Sequence, residues 1–321
     1  MPAVTSSDRD EGAGAKGAFG PGDVVAGRYK IVALLGAGGT GEVYRATDQA
    51  LGGEVALKTL KHGVAKHPVL LERFRREAQN ALRVTHPNVC RIRDIGVNEQ
   101  RGQKRFFLTM ELLEGESLAV ALARRPAPFS AAEALPILTQ IVEGLQAAHD
   151  SSVVHRDLKP GNVMLLAAAG RGPRAVITDF GLAISEEQIA LGLTESSELI
   201  GTPEYMAPEQ TDAGSTTPAL DIYALGIIAY EMLTKRRPFA VGATPIETML
   251  LRRHAKPQPL RAVLPEADVV WDAAIARCLE RDPGRRFARA ADFITAIVDR
   301  VVPPPPEEKR RWFGRGKAGG G

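Results

Sequence analysis

His155-Arg156-Asp157-Leu158-Lys159-Pro160-Gly161-Asn162 form a polar octet between two aliphatic runs. Four of its groups bear on moving a phosphoryl group: the carboxylate of Asp157, the cations Arg156 and Lys159, and the side-chain oxygen of Asn162. Pro160 and Gly161 favour a loop over a helix, because proline fixes φ and disfavours helical geometry in the residue before it. A rigid loop carrying a base and a metal ligand is a catalytic loop. Twenty-two residues beyond Asp157 stands Asp179-Phe180-Gly181. Alone, that tripeptide is a strand end and a turn. With Asn162 between them, Asp157 and Asp179 complete a site whose oxygens at 162 and 179 suit magnesium, which takes few protein oxygens and keeps waters and phosphates for the rest.

These groups need a frame. Residues 29–35, 42–47 and 54–60 have the apolar, β-prone texture of three strands joined by glycine-containing turns, an antiparallel arrangement. Between the first two lies Gly36-Ala37-Gly38-Gly39-Thr40-Gly41-Glu42-Val43. Glycines at 36, 38 and 41 let the backbone approach a polyphosphate closely. A lone GxGxxG is equally a tight hairpin or, before a helix, a dinucleotide site. The strand-like Glu42-Val43-Tyr44-Arg45-Ala46 argues against the dinucleotide reading. Lys58 follows on the third strand, where by itself a lysine reads as solvated. Residues 68–84 have helical spacing, with Pro68 in the first turn. Phe74, Glu77, Ala78 and Ala81 share its apolar stripe, so Glu77 either sits solvated at the stripe's edge or points inward. An inward carboxylate wants a cation, and Lys58 is the expected partner.

Residues 89–97 and 105–112 read as two further strands, after which the pattern turns helical. Ser130 and Glu133 form a capping box for a helix whose stripe is Leu138, Ile141, Val142, Leu145 and Ala148, with Pro136 expected to bend its start. Residues 163–166 and 175–177 read as a short hairpin around 170–173, and Asp221 at the head of the apolar stretch 222–233 is either a cap or a buried anchor.

Taken together, H-R-D-L-x-x-x-N at 155–162, Val55-Ala56-Leu57-Lys58, Asp179-Phe180-Gly181 and Ala207-Pro208-Glu209 stand in one order, and the chain resembles a eukaryotic-type serine/threonine protein kinase of the kind found in bacteria. The resemblance runs over about residues 28–300. It implies an α+β, two-lobed fold: an antiparallel-sheet lobe with one helix over 28–112 and a larger, mainly helical lobe over 116–300. It also implies roles. Asp157 accepts or orients a hydroxyl proton, Lys159 steadies the transferring phosphoryl, Lys58 and Glu77 position the nucleotide, and Asn162 and Asp179 hold Mg2+, with Mn2+ as a substitute. ATP would contact Gly36, Ala37, Gly38, Gly39, Gly41, Val43, Ala56 and Lys58, and a hinge of Met110, Glu111 and Leu113, with Met164. The family pairs the glutamate of A-P-E, here Glu209, with an arginine matching Arg286, although Arg285 beside it leaves that register open by one. The loop lysine and Thr202 favour serine or threonine over tyrosine. A phosphorylated Thr194, Ser196 or Ser197 would pair with Arg156. The rival reading, a pseudokinase scaffold, would be marked by loss of Lys58, Asp157 or Asp179, and all three stand. A small-molecule phosphotransferase would lack the segment 201–209, which is present.

Bulk properties exclude other classes. With 41 basic against 38 acidic residues among 321, nothing calls for nucleic acid as a partner; the resemblance implies protein substrates, with a transient pair of chains for autophosphorylation. Cys90 and Cys278 lie far apart among apolar neighbours, as buried thiols of a reducing cytoplasm do. No window has the roughly 18 apolar residues of a membrane span, and the N-terminus lacks a signal-peptide pattern. Residues 1–25 are expected to be a disordered leader and 301–321 a proline-rich, basic tail. In that tail Lys309, Arg310, Arg311 and Trp312 fit either a solvated end or a weak contact with an anionic membrane surface.

Overall fold

The computed structural model of the chain describes residues 18–38, 41–60, 68–100, 103–168, 172–180, 203–211, 216–242, 244, 247–248 and 253–303. Its first part is a six-stranded antiparallel sheet of β1 (Val24–Val25), β2 (Tyr29–Gly38), β3 (Gly41–Asp48), β4 (Glu54–Leu60), β5 (Ile92–Gln100) and β6 (Gln103–Met110), in the order β1-β2-β3-β4-β6-β5. Side chains alternate across a strand, so the sheet has two apolar faces and both need a cover. One face carries Ala56, Leu60, Leu108 and Met110 and is covered by α1 (Pro68–Ala81) through Ala78 and by Val176. The other carries Tyr29, Ile31, Tyr44, Ala46, Val55, Leu57 and Phe107, and Phe19 and Val25 close it.

That second cover corrects an expectation. A disordered leader over 1–25 does not hold for residues 18–25, because Phe19 and Val25 are buried in the core and Val24–Val25 pairs with Lys30 and Tyr29. Residues 1–17 and the tail from 304 lie outside the described residues. Arg28 ties this corner together: it donates to both carboxylate oxygens of Asp48, at 2.9 and 2.7 Å, and to Asp94 at 3.2 Å, which Tyr29 also reaches.

The second part is helical around a small sheet. A three-stranded sheet of β7 (Gly115–Ser117), β8 (Val163–Leu166) and β9 (Arg174–Ile177) carries the expected hairpin plus one unexpected strand. After α2 (Leu118–Arg124), α3 (Ala131–Asp150) opens with the capping box, Ser130 and Glu133 satisfying each other's backbone N–H groups, and runs on through Pro136. At its centre, α4 (Ala219–Thr234) is buried on nearly every side, as its continuous apolar sequence requires. Against it pack α5 (Leu260–Val263) and α6 (Val269–Cys278), while α7 (Ala291–Val298) packs on α6 and α3; Trp271, Ile275, Phe293 and Ile297 join the core. Cys90 and Cys278 are free and buried. No helix among the described residues is long and apolar enough to cross a membrane.

The two parts are stitched at Asn88. Its side chain donates to the Ala175 carbonyl at 2.7 Å, its carbonyl accepts from Ile177, and Cys90 N–H reaches the Ile177 carbonyl at 2.8 Å. The segment leaving α1 is thereby fixed against β9, the strand that leads to Asp179.

Candidate active site

The octet at 155–162 folds as a loop into a single 3-10 turn at Pro160–Asn162, with Leu158 buried beneath it. His155, wholly buried, connects it to the end of β9. Its Nε2 lies 2.8 Å from the Thr178 carbonyl and so carries the proton, which leaves Nδ1 to accept from Asp157 N–H at 3.2 Å. Thr178 N–H in turn donates to the Asn162 carbonyl at 2.9 Å. The ring of Phe180 lies against the imidazole, centroids 4.7 Å apart.

Beneath the loop is Asp221, in the first turn of α4. It is the buried anchor and not the cap: Pro218 holds the N-cap position. One carboxylate oxygen accepts from His155 N–H and from His149 Nε2, each at 2.8 Å, and the other from Arg156 N–H at 2.9 Å. Burial alone would raise this carboxyl, but the hydrogen bond and charge of His149 and the neighbouring His155 hold it below the ordinary range. Arg156 and Asp179 both adopt left-handed backbone, φ 69 and 64°, which costs a non-glycine residue about 1–3 kcal/mol. The Asp221 hydrogen bonds supply the constraint that holds Arg156 there.

On this base the polar groups converge. Lys159 Nζ lies 2.6 Å from Asp157 Oδ2, and Asn162 Nδ2 donates to the same oxygen at 3.2 Å and to the Asp157 carbonyl at 2.8 Å. Asp157 Oδ1 takes no hydrogen bond among the described residues. From β4, buried Lys58 reaches Asp179 Oδ1 at 2.8 Å. Burial pushes the Asp179 carboxyl up, and the Lys58 charge and hydrogen bond overcome it, so the group stays below the usual carboxylate range. Among the described residues, Asn162 Oδ1 and Asp179 Oδ2 are two side-chain oxygens without a protein donor. These are the hard oxygen donors that suit magnesium.

The expected Lys58–Glu77 pair is not the one formed. Lys58 bonds Asp179, and Glu77, half-buried on α1, bonds Arg156. The carboxylate does point inward and does take a cation, but of Lys58 and Arg156 the one within reach of Glu77 is Arg156, on the 155–162 loop. Arg156, expected to await a phosphorylated loop, is therefore engaged. The segment with Thr194, Ser196 and Ser197 lies outside the described residues, as do Thr202 and Gly39.

At the other end of the cleft, Val43 stands opposite Lys58 in the β3–β4 ladder and Ala56 opposite Met110 in β4–β6. Met110 is buried, and Met164 on β8 faces Ser117 across the small sheet. Glu111 spends its N–H on the Arg91 carbonyl at 3.0 Å, while the Leu113 backbone groups take no hydrogen bond among the described residues. In the glycine-rich turn Gly36 and Gly38 face open space, but Gly41 has φ +149° and a Cβ there would sit 1.7 Å from the Thr59 carbonyl oxygen. Glycine at 41 is demanded by the contact between strands, quite apart from any ligand.

Arg286, not Arg285, takes Glu209: its Nη1 and Nη2 grip the two carboxylate oxygens at 2.6 and 2.7 Å, while Arg285 pairs with Glu280 at 3.7 Å. Missed entirely by the sequence reading was Gln210, which accepts from Ala207 N–H at 2.8 Å and donates to the Arg156 carbonyl at 3.0 Å, fastening the 203–211 segment to the catalytic loop. A glutamine carries no spacing signal that would have found it.

A two-lobed α+β chain with Asp157, the cations Lys58, Arg156 and Lys159 and paired oxygens between its lobes has the make-up of a protein kinase domain, and residues 29–297 match that family. The chain belongs to it. Bacterial kinases are among its relatives. It is 34% identical to the probable serine/threonine-protein kinase PknB of Corynebacterium glutamicum over 84% of this chain and 41% of that protein. It is 37% identical to the serine/threonine-protein kinase pkn2 of Myxococcus xanthus, over 85% and 32%. With the serine/threonine-protein kinase PknA of Mycobacterium tuberculosis the figures are 35%, 86% and 62%. The chain thus spans about a third to three fifths of the length of these relatives. Among solved structures, the kinase domain of Mycobacterium tuberculosis PknI aligns with a TM-score of 0.70 at 27% identity, covering 88% of this chain and 100% of that one.

Proposed function

We propose that the protein transfers the γ-phosphoryl group of ATP to serine or threonine hydroxyls of proteins, as part of bacterial signalling. The observation that carries this reading is the pairing of Asp157 with Lys159 and Asn162 and of Lys58 with Asp179, two groups tied together where Thr178 N–H, next to Asp179, donates to the Asn162 carbonyl. Asp157 is held by Lys159 and Asn162 through Oδ2, which leaves Oδ1 to accept the proton of an incoming hydroxyl. As the hydroxyl oxygen bonds to phosphorus, the bond from phosphorus to the bridging oxygen of ADP breaks. Lys159 lies beside the base, where a cation offsets charge on the moving phosphoryl. Lys58 and the backbone of the glycine-rich turn orient the phosphates, and Leu113 offers free backbone groups to the adenine edge. Positioning and charge stabilisation supply most of the rate in such transfers. Magnesium, or manganese in its place, would sit on Asn162 and Asp179 and neutralise phosphate charge.

Other parts of the proposal reach beyond the site. Two chains would pair transiently for phosphorylation of Thr194, Ser196 or Ser197, the setting would be the cytoplasm, and Lys309, Arg310, Arg311 and Trp312 would make at most a weak contact with an anionic membrane.

The test is incubation with radiolabelled ATP and magnesium, wild type beside Asp157→Asn. Label on phosphoserine or phosphothreonine in the wild type alone supports the reading. Bound ATP with no label in either would overturn it in favour of a non-catalytic scaffold.

A further inference from the structure

The glycine-rich turn is anchored unevenly. Its entering arm, the Leu34–Gly38 end of β2, is exposed, with Leu35 half in solvent, so it has no packing of its own. Its position follows from the ladder with the returning arm, β3. That arm is held from behind, at its first residues. Glu42 directly follows Gly41 and accepts through Oε2 from Ala18 N–H at 2.9 Å and from the Tyr44 hydroxyl. The same hydroxyl accepts from Phe19 N–H at 3.2 Å. The Phe19 ring is 7% exposed, meets the Tyr44 ring edge-on at 5.8 Å and lies beneath the Arg105 guanidinium. Along the backbone Glu42 stands in the ladder between Ala37 of β2 and Thr59 of β4, with Thr59 Oγ1 at 3.4 Å; among the described residues its side chain is held by Ala18 and Tyr44.

We infer that Ala18–Phe19 is a positioning element for the nucleotide loop, acting through Glu42 and Tyr44 from the face of the sheet opposite the ligand. The inference rests on the reading of that loop as an ATP site. The strap does not touch the ligand. It fixes the arm from which the loop springs, so loosening it enlarges the range of loop positions and weakens the hold on the phosphates. The chain upstream of the kinase fold thereby enters the nucleotide site's mechanics.

The experiment measures binding of a non-hydrolysable ATP analogue with magnesium by calorimetry, beside KM for ATP and kcat, on the full chain. Phe19→Ala should weaken the analogue and raise KM for ATP about fivefold, the effect of losing a net hydrogen bond or small packing contact, with kcat changed less than twofold. Phe19→Tyr should restore binding. Tyr44→Phe keeps the ring and the fold but removes the hydroxyl that joins Phe19 to Glu42, and it should move KM in the same direction. Val25→Ala, at the far end of the strap and wholly buried, should lower the melting temperature and leave KM for ATP unchanged. Wild-type affinity in both Phe19→Ala and Tyr44→Phe would overturn the inference, and so would an equal loss in Val25→Ala, which would mean general softening. Absence of analogue binding by the wild type would instead remove the nucleotide reading itself, and the inference with it.

Discussion

Replacing Arg286 by alanine should be among the most damaging single changes outside the catalytic groups. Its side chain is wholly buried and every donor is used. Two hydrogen bonds go to Glu209, and the others to the carbonyls of Glu280 at 2.8 Å, Ala219 at 2.8 Å and Arg281 at 3.3 Å, while the guanidinium lies over the Tyr223 ring. Truncation leaves the Glu209 carboxylate, itself nearly buried, with no counter-ion, and breaking a buried pair in this way costs about 3–5 kcal/mol. The three abandoned carbonyls place the loss at the upper end of that range. In a chain of this size the melting temperature should fall by about 10 °C or more. Thermal unfolding is the assay, run as a cycle with Glu209→Gln. Removing the orphaned charge should recover at least about 1 kcal/mol relative to Arg286→Ala alone, since contacting residues are not additive. Arg286→Lys, which keeps charge but loses the two-pronged grip, should fall between. An Arg286→Ala protein within about 1 kcal/mol of wild type, or strictly additive single changes, would refute the pairing as a stabilising element.

Two further predictions concern the frame of the site. Gly41→Ala should destabilise by about 1–3 kcal/mol, since the backbone is left-handed and the new Cβ collides with the Thr59 carbonyl. Gly36→Ala, which meets open space, should stay within about 0.5 kcal/mol, and melting curves of the two compare them directly. Asp221→Asn should lower stability at neutral pH, because the amide offers one acceptor oxygen to three donors. The folded-state carboxyl of Asp221 is depressed, so its contribution is complete above the unfolded value of about 4 and is lost as pH falls through the folded value. Urea unfolding at pH 7 and pH 3 should therefore show the gap between wild type and variant narrowing at the acid end, and a constant gap would contradict the assignment.

What the sequence made legible was local. The octet at 155–162, the capping box at Ser130 and the strand Glu54–Leu60 depend on residues within a few positions of each other, and each stands where the pattern put it. The two-lobed architecture was implied by the family resemblance that the motifs carry, not by these local patterns themselves. Less legible was whatever a single side chain decides. Phe19 lies in a stretch of glycine, alanine, serine and aspartate whose average says leader, yet one aromatic over Tyr44 is enough to dock it. Gly115 opens a strand so close to Leu165 that a Cβ would lie 2.3 Å from its carbonyl oxygen, a contact invisible without the neighbouring strand.

The pairing of Lys58 shows how charged groups that sequence pattern places near one another can be wired differently in space. Two carboxylates, Glu77 and Asp179, and two cations, Lys58 and Arg156, come together from four separate elements. Periodicity placed Glu77 inward, and charge required that it be met, but either cation satisfies that demand. Proximity chose: Asp179 at the end of β9 takes Lys58, and Glu77 is left to Arg156 on the loop between α3 and β8. For Glu77 to serve Lys58, as the sequence led one to expect, Arg156 must find another anion and Asp179 another cation. The proposed chemistry supplies both kinds of partner, a phosphorylated loop residue for Arg156 and a divalent ion for Asp179. The arrangement seen and the arrangement proposed for transfer therefore use the same four charged groups and differ in which neighbours they hold.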